Sequence, residues 1–228
     1  MIQKRFRSHV VYKTDAGIVC PGASTISGML EKPALVHAAW KLGTEGKDYK
    51  KVWGAAADIG TIAHEMIECY IKGKAFDSAE YVKADVDKAE NAYLAFLEFE
   101  KHLPKYRTVI SEAAPMADGF FAKNVSEKYL YGGVIDWVIE IIENGELWMF
   151  DFKSAKAIYR EHRFQCAGYF NLFHECNPGR KLSRVYLLQL GKEDGSFSDH
   201  LLSIQEVEQH WGVFWHLLKI FWLLKSIA

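Results

Sequence analysis

The sequence predicts an α/β fold in which a central mixed β-sheet is flanked by helices and preceded by a helical N-terminal portion. Helical hydrophobic spacing dominates up to about residue 102, strand-like runs follow, and a further helix and strands come after about residue 159. Helices on both sides of a run of strands are typical of one α/β domain. We expect a single domain over 1–228, with a helical part over about 24–102, a core over about 85–191 and a C-terminal helix over about 203–227.

Helices are indicated by apolar periodicity and by start and stop residues. Pro33 suits the first turn of a helix that stops at Gly43, because proline has no N–H to leave unpaired there. The last helix opens with a capping box formed by Ser203 and Glu206. The other predicted helices cover 52–73, about 78–102 and 159–176.

Strands are indicated by β-branched and aromatic runs bounded by turn residues. The stretch Glu-Asn-Gly at 143–145 has the composition of a hairpin turn. The predicted strands cover 108–115, 130–142, 146–154, 182–191 and, at a sheet edge, 197–204.

Composition excludes several classes of protein. Of the 228 residues, 50% are hydrophobic and 25% are charged, which is ordinary for a soluble globular protein. The formal net charge of −1 gives no global basic field, so a polyanionic partner would need a local basic groove. The four cysteines form no C-x-x-C pair, so no iron–sulfur cluster is expected.

The sequence also favours an intracellular, cytoplasmic location. The basic N-terminus lacks the apolar region of a signal peptide. The longest apolar stretch, 213–224, is too short and too interrupted to span a bilayer, so no membrane association is expected.

Two aspartates in the predicted hairpin carry the strongest chemical signal. Asp136 and Asp151 lie at similar distances from the turn, and cross-strand partners have Cβ atoms about 5 Å apart. Lys153 projects from the same strand face as Asp151. A solvated strand edge would explain these charges equally, but the surrounding Leu-Trp-Met-Phe-Asp-Phe has the composition of a buried strand. Unpaired charges cost several kcal/mol there, so a shared Mg²⁺ ion is the simpler explanation.

Four short motifs, in this order, resemble those of the PD-(D/E)XK nuclease superfamily. They are Gly-Thr-Ile-Ala-His-Glu-Met-Ile-Glu at 60–68, Gly-Gly-Val-Ile-Asp at 132–136, Asp-Phe-Lys at 151–153 and Gln-Cys-Ala-Gly-Tyr at 165–169. The resemblance runs from about residue 24 to 190 and is closest to the RecB-like and lambda-exonuclease-like branch, which includes phage-type and mitochondrial genome maintenance-type exonucleases. It implies a restriction-endonuclease-like αβββαβ core.

The resemblance also implies roles for particular residues. Lys153 would be the catalytic lysine, and Gln165 and Tyr169 would hold water or phosphate. The cofactor would be Mg²⁺, with Mn²⁺ able to substitute. The implied metal ligands are His64, Asp136, Asp151, the main-chain carbonyl of Phe152 and, more loosely, Glu112.

Helical spacing agrees with part of this set. Gln165 and Tyr169 are four residues apart and share a helix face, as do Gly60, His64 and Glu68. Glu68 would either fix the tautomer of His64 or lie at the surface. A lone histidine on an apolar helix is more often a core residue than a ligand, so the role of His64 depends on the hairpin.

Basic residues near the motifs suggest contacts to nucleic acid. The candidates are Lys156, Arg160 and Arg163 and, upstream, Lys50 and Lys51, with a basic arm at Arg5 and Arg7 as a weaker one. The alternative for each is a solvated helix start.

Taken together, the motifs predict a metal-dependent DNA exonuclease that hydrolyses phosphodiester bonds in end processing, recombination or repair. Its partner would be DNA with free ends, with a homo-oligomer or a recombination protein as a further partner; a phage-encoded protein would act in the host cytoplasm. A restriction-type or structure-specific endonuclease and an inactive nuclease-fold binding module are the alternatives. A zinc protease is disfavoured, because His-Glu-Met-Ile-Glu lacks the second histidine of that motif.

Overall fold

The chain folds as an α/β protein around a five-stranded mixed sheet. The computed structural model describes residues 12–13, 17–111, 120–122 and 129–227, with the backbone alone for 120–122. Within these residues there are six helices and two further two-stranded sheets. The helices are α1 (Ala23–Ser27), α2 (Pro33–Thr44), α3 (Tyr49–Ile71), α4 (Lys83–Glu100), α5 (Arg160–Cys176) and α6 (Ile204–Ile227).

Nine strands contribute to the three sheets in the described part of the chain. They are β1 (Tyr12–Lys13), β2 (Val19–Cys20), β3 (Tyr106–Ser111), β4 (Phe120–Ala122), β5 (Tyr131–Gly133), β6 (Trp137–Ile141), β7 (Leu147–Lys153), β8 (Leu182–Leu190) and β9 (Phe197–Leu202). The central sheet has the order β3-β6-β7-β8-β9, and the small sheets pair β1 with β2 and β4 with β5.

Among the described strands of the central sheet, one neighbouring pair is parallel. The strands β7 and β8 run parallel because α5 carries the chain back between them, whereas the other three pairs are antiparallel. The sequence-based expectation of helices on both sides of a mixed sheet is therefore confirmed.

The two faces of the sheet pack against different helices. Successive residues of β7 point to opposite faces of the sheet. Leu147 and Met149 pack with α5 and α6, whereas Phe150 and Phe152 pack with α3 and α4. By the same alternation, Asp151 belongs to the side of Met149 and α5. Both faces of β7 are therefore enclosed, and any polar group on it must find its partners within the protein.

Several element boundaries coincide with local signals that the sequence contains. Pro33 is the first residue of α2. Gly145 has φ of 72° in the turn between β6 and β7, as the hairpin turn requires. The capping box at α6 is formed in both directions: Ser203 N–H donates to Glu206 Oε2 at 2.8 Å, and Glu206 N–H donates to Ser203 Oγ at 3.2 Å.

The prediction of one long strand over 130–142 was wrong. This segment forms two strands in different sheets, β5 beside β4 and β6 in the central sheet. At Gly133 the chain presses against α5, where a Cβ atom would lie 2.5 Å from Cε1 of Tyr169. The chain then bends at Asp136 before it enters β6. The separation follows from this close approach, which takes β5 out of the central sheet.

Among the described residues, no helix is long and apolar enough to cross a membrane. The aromatic side of α6 packs inward instead: Phe214 is fully buried and stacks with Trp211, their ring centroids 5.6 Å apart. The aromatic side chains on this side of α6 therefore belong to the core.

Candidate functional site

The candidate site lies where β6 begins and β7 ends, between α3 and α5. Trp137 pairs with Phe150 across the two strands, so continuation of this register places Asp136 opposite Asp151. Both aspartates are buried, with 7% of Asp136 and 1% of Asp151 exposed. The juxtaposition predicted from the hairpin is therefore present, and it occurs in surroundings where carboxylates need partners.

Asp136 connects three elements of the fold. Its Oδ2 accepts a hydrogen bond of 2.6 Å from the backbone N–H of Phe152 in β7. Its Oδ1 lies 3.5 Å from Nδ1 of His64 in α3. The imidazole of His64 also meets the ring of Phe152 edge-on, at a centroid distance of 5.8 Å. The histidine predicted as a metal ligand therefore lies beside the first of the two carboxylates.

Asp151 and Lys153 form a buried ion pair on β7. The ammonium Nζ lies 2.7 Å from both carboxylate oxygens, and it makes an aligned hydrogen bond to Oδ1. The second oxygen, Oδ2, is buried without an aligned donor. Burial raises the pKa of Asp151 to about 6, and the nearby charge of Asp136 adds to this, while Lys153 opposes it.

The lysine of this pair is held in its charged form. Burial alone lowers the pKa of Lys153, but the two carboxylates of Asp151 and Asp136 outweigh burial and raise it above the ordinary value. Lys153 therefore offers a fixed positive charge to the site and not a free amine.

Two residues of α5 complete the arrangement around Lys153. Oε1 of Gln165 lies 3.4 Å from Nζ of Lys153, and Nε2 of Gln165 donates to the hydroxyl of Tyr169 at 2.7 Å. Burial raises the pKa of Tyr169 well above its ordinary value, so the phenol stays protonated. The predicted pair at positions i and i+4 of the helix is therefore confirmed as an interacting unit.

A cavity of about 550 Å³ opens next to these groups. Its wall includes His64, Lys153 and Gln165, so a ligand in the cavity could approach all three. The full lining consists of Ala57, Gly60, Thr61, His64, Glu65, Phe152, Lys153, Ser154, Ala155 and Gln165.

The donor set suits a hard divalent cation. Carboxylate oxygens from Asp136 and Asp151, with the carbonyl of Phe152, are the ligands that Mg²⁺ prefers, and an imidazole can join them. The buried Oδ2 of Asp151 makes no aligned hydrogen bond, although Nζ of Lys153 lies 2.7 Å away, so this oxygen could also bind a cation. No group of three His, Cys, Asp or Glu side chains ready to hold an ion is found within the described ranges. The residues fit the ion by their chemistry, and Lys153 would have to share Asp151 with it.

Other predicted residues lie away from the cavity wall. Lys156 and Arg160 are exposed, and Nη2 of Arg160 donates to the carbonyl of Glu31 at 3.0 Å. The pKa of Glu206, at the start of α6, is lowered mainly by hydrogen bonds from Ser203. The positive charge of Arg163 lowers it further. Their predicted contacts to nucleic acid would therefore lie outside the cavity and stay a prediction.

Glu68 and Glu112 are the remaining acidic candidates, and the structure describes only the first of them. The carboxylate of Glu68 pairs with Nζ of Lys72 at 2.7 Å. Glu112 lies outside the described residues, as do Arg5 and Arg7.

Sequence reasoning missed Ser154 and Glu65 in the cavity wall and His162 near Lys153. A Cβ atom at Gly60 would lie 2.6 Å from Oγ of Ser154, so the glycine allows α3 to approach the end of β7. Glu65 accepts a hydrogen bond of 2.5 Å from the hydroxyl of Tyr81 and lines the cavity beside His64. Burial lowers the pKa of His162 to about 4, and the charge of Lys153 adds to this, so its imidazole is neutral. The spacing of His162 three residues before Gln165 could have identified it.

Comparisons with known proteins identified no similar protein. No protein-family model matches this sequence, and a comparison with characterised proteins finds no significant match. The cavity is lined by an ammonium, an amide and an imidazole, and the two buried carboxylates contact the ammonium and the imidazole. Such a set of groups is suited to an anionic substrate and to a hydrolysis that a divalent cation assists.

Proposed function

We propose that the protein is a divalent-metal-dependent nuclease that hydrolyses phosphodiester bonds in DNA and acts at DNA ends. The observation that carries the proposal is the buried Asp151–Lys153 pair beside His64 and Asp136, with Lys153 open to the cavity. The order α4, β3, β6, β7, α5, β8 along the chain supports a restriction-endonuclease-like core, with β4 and β5 as a separate small sheet.

In this proposal, His64, Asp136, Asp151 and the main-chain carbonyl of Phe152 hold Mg²⁺, and Mn²⁺ can replace it. A bound divalent ion would polarise the scissile phosphate and lower the pKa of a water molecule. Two carboxylates balance the charge of such an ion, which explains why the fold tolerates both of them in a buried position.

Lys153 supplies the second positive charge of the proposed mechanism. Because the carboxylates of Asp151 and Asp136 keep it protonated, it would stabilise negative charge on the phosphate and orient the attacking water, but it would not remove a proton. Gln165 would keep the ammonium in place, since its amide is itself fixed by Tyr169. Removal of the ammonium would therefore affect the reaction more than the binding of DNA.

The preference for DNA ends comes from the resemblance of the 60–68 helix motif to that of end-processing nucleases. In the structure this motif forms the cavity wall through Gly60, Thr61, His64 and Glu65. A substrate strand would therefore pass between α3 and the end of β7 to reach Lys153.

The direct experiment compares linear DNA with covalently closed circular DNA of the same sequence in Mg²⁺. We expect the wild-type protein to degrade the linear form and to leave the circle intact. Asp151→Asn should leave the linear form intact, and Asp199→Asn, at an exposed position of strand β9 in the same sheet, is its matched control. Nicking or cleavage of the circle would indicate an endonuclease, and absence of all cleavage in the wild-type protein would indicate an inactive binding module.

A further inference from the structure

The second helix, α2, exposes an apolar face. None of its residues is buried, and its two most exposed large side chains are Val36, 72% accessible, and Trp40, 65% accessible. An exposed tryptophan stabilises the folded state less than a buried tryptophan would, so the fold alone does not explain its position. Such a surface is typical of a binding site.

The aromatic groups on α2 form a small platform. The ring of His37 lies beside that of Trp40, with centroids 5.7 Å apart and planes inclined by 30°. A cavity of about 770 Å³ opens along this side of the helix and is lined by Glu31, Lys32, Pro33, Val36, His37 and Trp40. There is room for a flat ring to stack on Trp40.

The surrounding charge favours an anionic occupant. From Glu31, which lines this cavity, to Trp53 the sequence has five lysines against three acidic residues, whereas the whole chain has a net charge of −1. Two of these lysines are already paired, Lys32 with Glu161 and Lys47 with Glu45, which leaves Lys41, Lys50 and Lys51. Lys41 on α2 is exposed, as are Lys50 and Lys51 at the start of α3. Exposed aromatic rings among lysines are the combination that binds single-stranded nucleic acid, because bases stack on the rings and phosphates pair with the ammonium groups.

Both ends of α2 are connected to the helices that border the catalytic cavity. At its start, Nζ of Lys32 pairs with Glu161 of α5 at 3.0 Å, and Arg160 donates to the carbonyl of Glu31 at 3.0 Å. Glu161 lies four residues, about one helical turn, before Gln165. At its other end α2 leads into α3, where Ala57 lies eight residues, or about 12 Å, beyond Tyr49.

We propose that this α2 surface, made of Val36, His37, Trp40 and Lys41 with Lys50 and Lys51, binds single-stranded DNA beside the catalytic cavity. Trp40 would stack on one base, and the lysines would contact the adjoining phosphates. Bases in a duplex are paired and stacked on one another, so they are not free to stack on Trp40. The inference rests on the proposed function and adds a preference for single-stranded or frayed ends.

The test is a binding measurement that does not depend on cleavage. Fluorescence anisotropy of a labelled oligothymidine in EDTA would be compared for the wild-type protein, Trp40→Ala and Trp40→Phe. We expect Trp40→Ala to weaken binding about tenfold, and Trp40→Phe to keep most of the affinity, because one base stack is lost or retained. Leu201→Ala, another exposed apolar side chain on β9, is the matched control and should bind as the wild type does.

The charge contribution is tested in the same assay. Lys41→Glu should weaken binding and make it less sensitive to salt, because fewer phosphates are neutralised. Lys225→Glu, which changes an exposed lysine at the end of α6, should have little effect.

The outcomes separate this inference from the proposed function. Undiminished binding by Trp40→Ala, an equal loss for duplex DNA, or no binding of oligothymidine by the wild-type protein would contradict the α2 surface. A Trp40→Ala variant that binds DNA normally but sediments as a smaller species would show that a second copy of the chain covers this face. By contrast, wild-type cleavage by Asp151→Asn would overturn the proposed mechanism and leave the binding result standing.

Discussion

The carboxylate of Asp136 is hydrogen-bonded to the backbone N–H of Phe152, the residue between Asp151 and Lys153, at 2.6 Å. This bond joins the bend before β6 to the last residues of β7, so the position of one carboxylate depends on the backbone that carries the other. The fold and the candidate chemistry are therefore coupled through a single side chain, and removal of that side chain should affect both.

Asp136→Ala should lower the free energy of unfolding by about 1–3 kcal/mol, because it leaves the buried N–H of Phe152 without an acceptor. Asp136→Asn should preserve most of the stability, since an amide oxygen can accept the same bond, but it should lose metal binding. Urea denaturation measures the first effect. Asp199→Ala on β9 is the control and should change stability by less than about 0.5 kcal/mol. Equal stability of Asp136→Ala and the wild type would show that the bond is unimportant.

Mg²⁺ or Mn²⁺ should stabilise the wild-type protein against heat. A ligand that binds only the folded state stabilises it by about 2.7 kcal/mol at a concentration one hundred times its Kd. Asp151→Asn should abolish this gain, because it removes a ligand charge from the site. Differential scanning calorimetry with and without the ion provides the measurement. The same increase in Tm for Asp151→Asn as for the wild type would show that the ion binds elsewhere.

The metal-free protein and the active protein should respond to pH in opposite ways. The pKa of Asp151 is raised from 3.8 to about 6 in the folded state, mainly by burial, so the folded protein holds this proton more tightly than the unfolded chain. The tighter binding of the Asp151 proton therefore stabilises the folded state. This stabilisation is fully present below about pH 3.8 and is lost as the pH rises through about 6.

Activity should instead require the ionised form of Asp151, so the rate should decrease as the pH falls through about 6. Because a cation competes with the proton for this carboxylate, more Mg²⁺ should move the decrease to lower pH. Initial rates across the acidic range at two Mg²⁺ concentrations check this. A decrease whose midpoint does not depend on Mg²⁺ would contradict the assignment of Asp151 as a ligand.

Gly133→Ala should reduce both stability and activity. Its Cβ atom would lie 2.5 Å from the ring of Tyr169 and 3.3 Å from Leu172, and both of these side chains are buried. Overpacking of this kind costs about 1–3 kcal/mol, and displacement of Tyr169 would also release Gln165. Thermal unfolding and cleavage rates would be measured on the same preparation.

Gly212→Ala is the matched control for this change. Gly212 lies inside α6, and a Cβ atom there meets nothing within 4 Å. Alanine at this position should stabilise the protein by about 0.5–1 kcal/mol through its greater helix preference. If Gly133→Ala were as stable and as active as Gly212→Ala, the contact with Tyr169 would not limit the site.

Much of this site could be predicted because its residues obey short-range rules. Asp151 and Lys153 share a strand face, Gln165 and Tyr169 share a helix face, and a short hairpin turn brings Asp136 opposite Asp151. Strand alternation and helical spacing are properties of the local chain, so they are visible in the sequence.

The features that could not be predicted depend on contacts between distant segments. The separation of β5 from β6 follows from the packing of Gly133 against Tyr169, and the place of Ser154 follows from the approach of α3 at Gly60. The exposure of Trp40 could not be predicted either, because the apolar composition of α2 resembles that of a core helix. Only the tertiary structure determines which apolar face is covered.

The most direct test of the central claim is the rate of Mg²⁺-dependent nucleotide release from end-labelled linear DNA. We predict that Lys153→Ala and Asp151→Asn each lower this rate by about a hundredfold or more, while Asp199→Asn keeps the wild-type rate. If Lys153→Ala or Asp151→Asn released nucleotides as fast as the wild type, the buried pair would not be the catalytic centre.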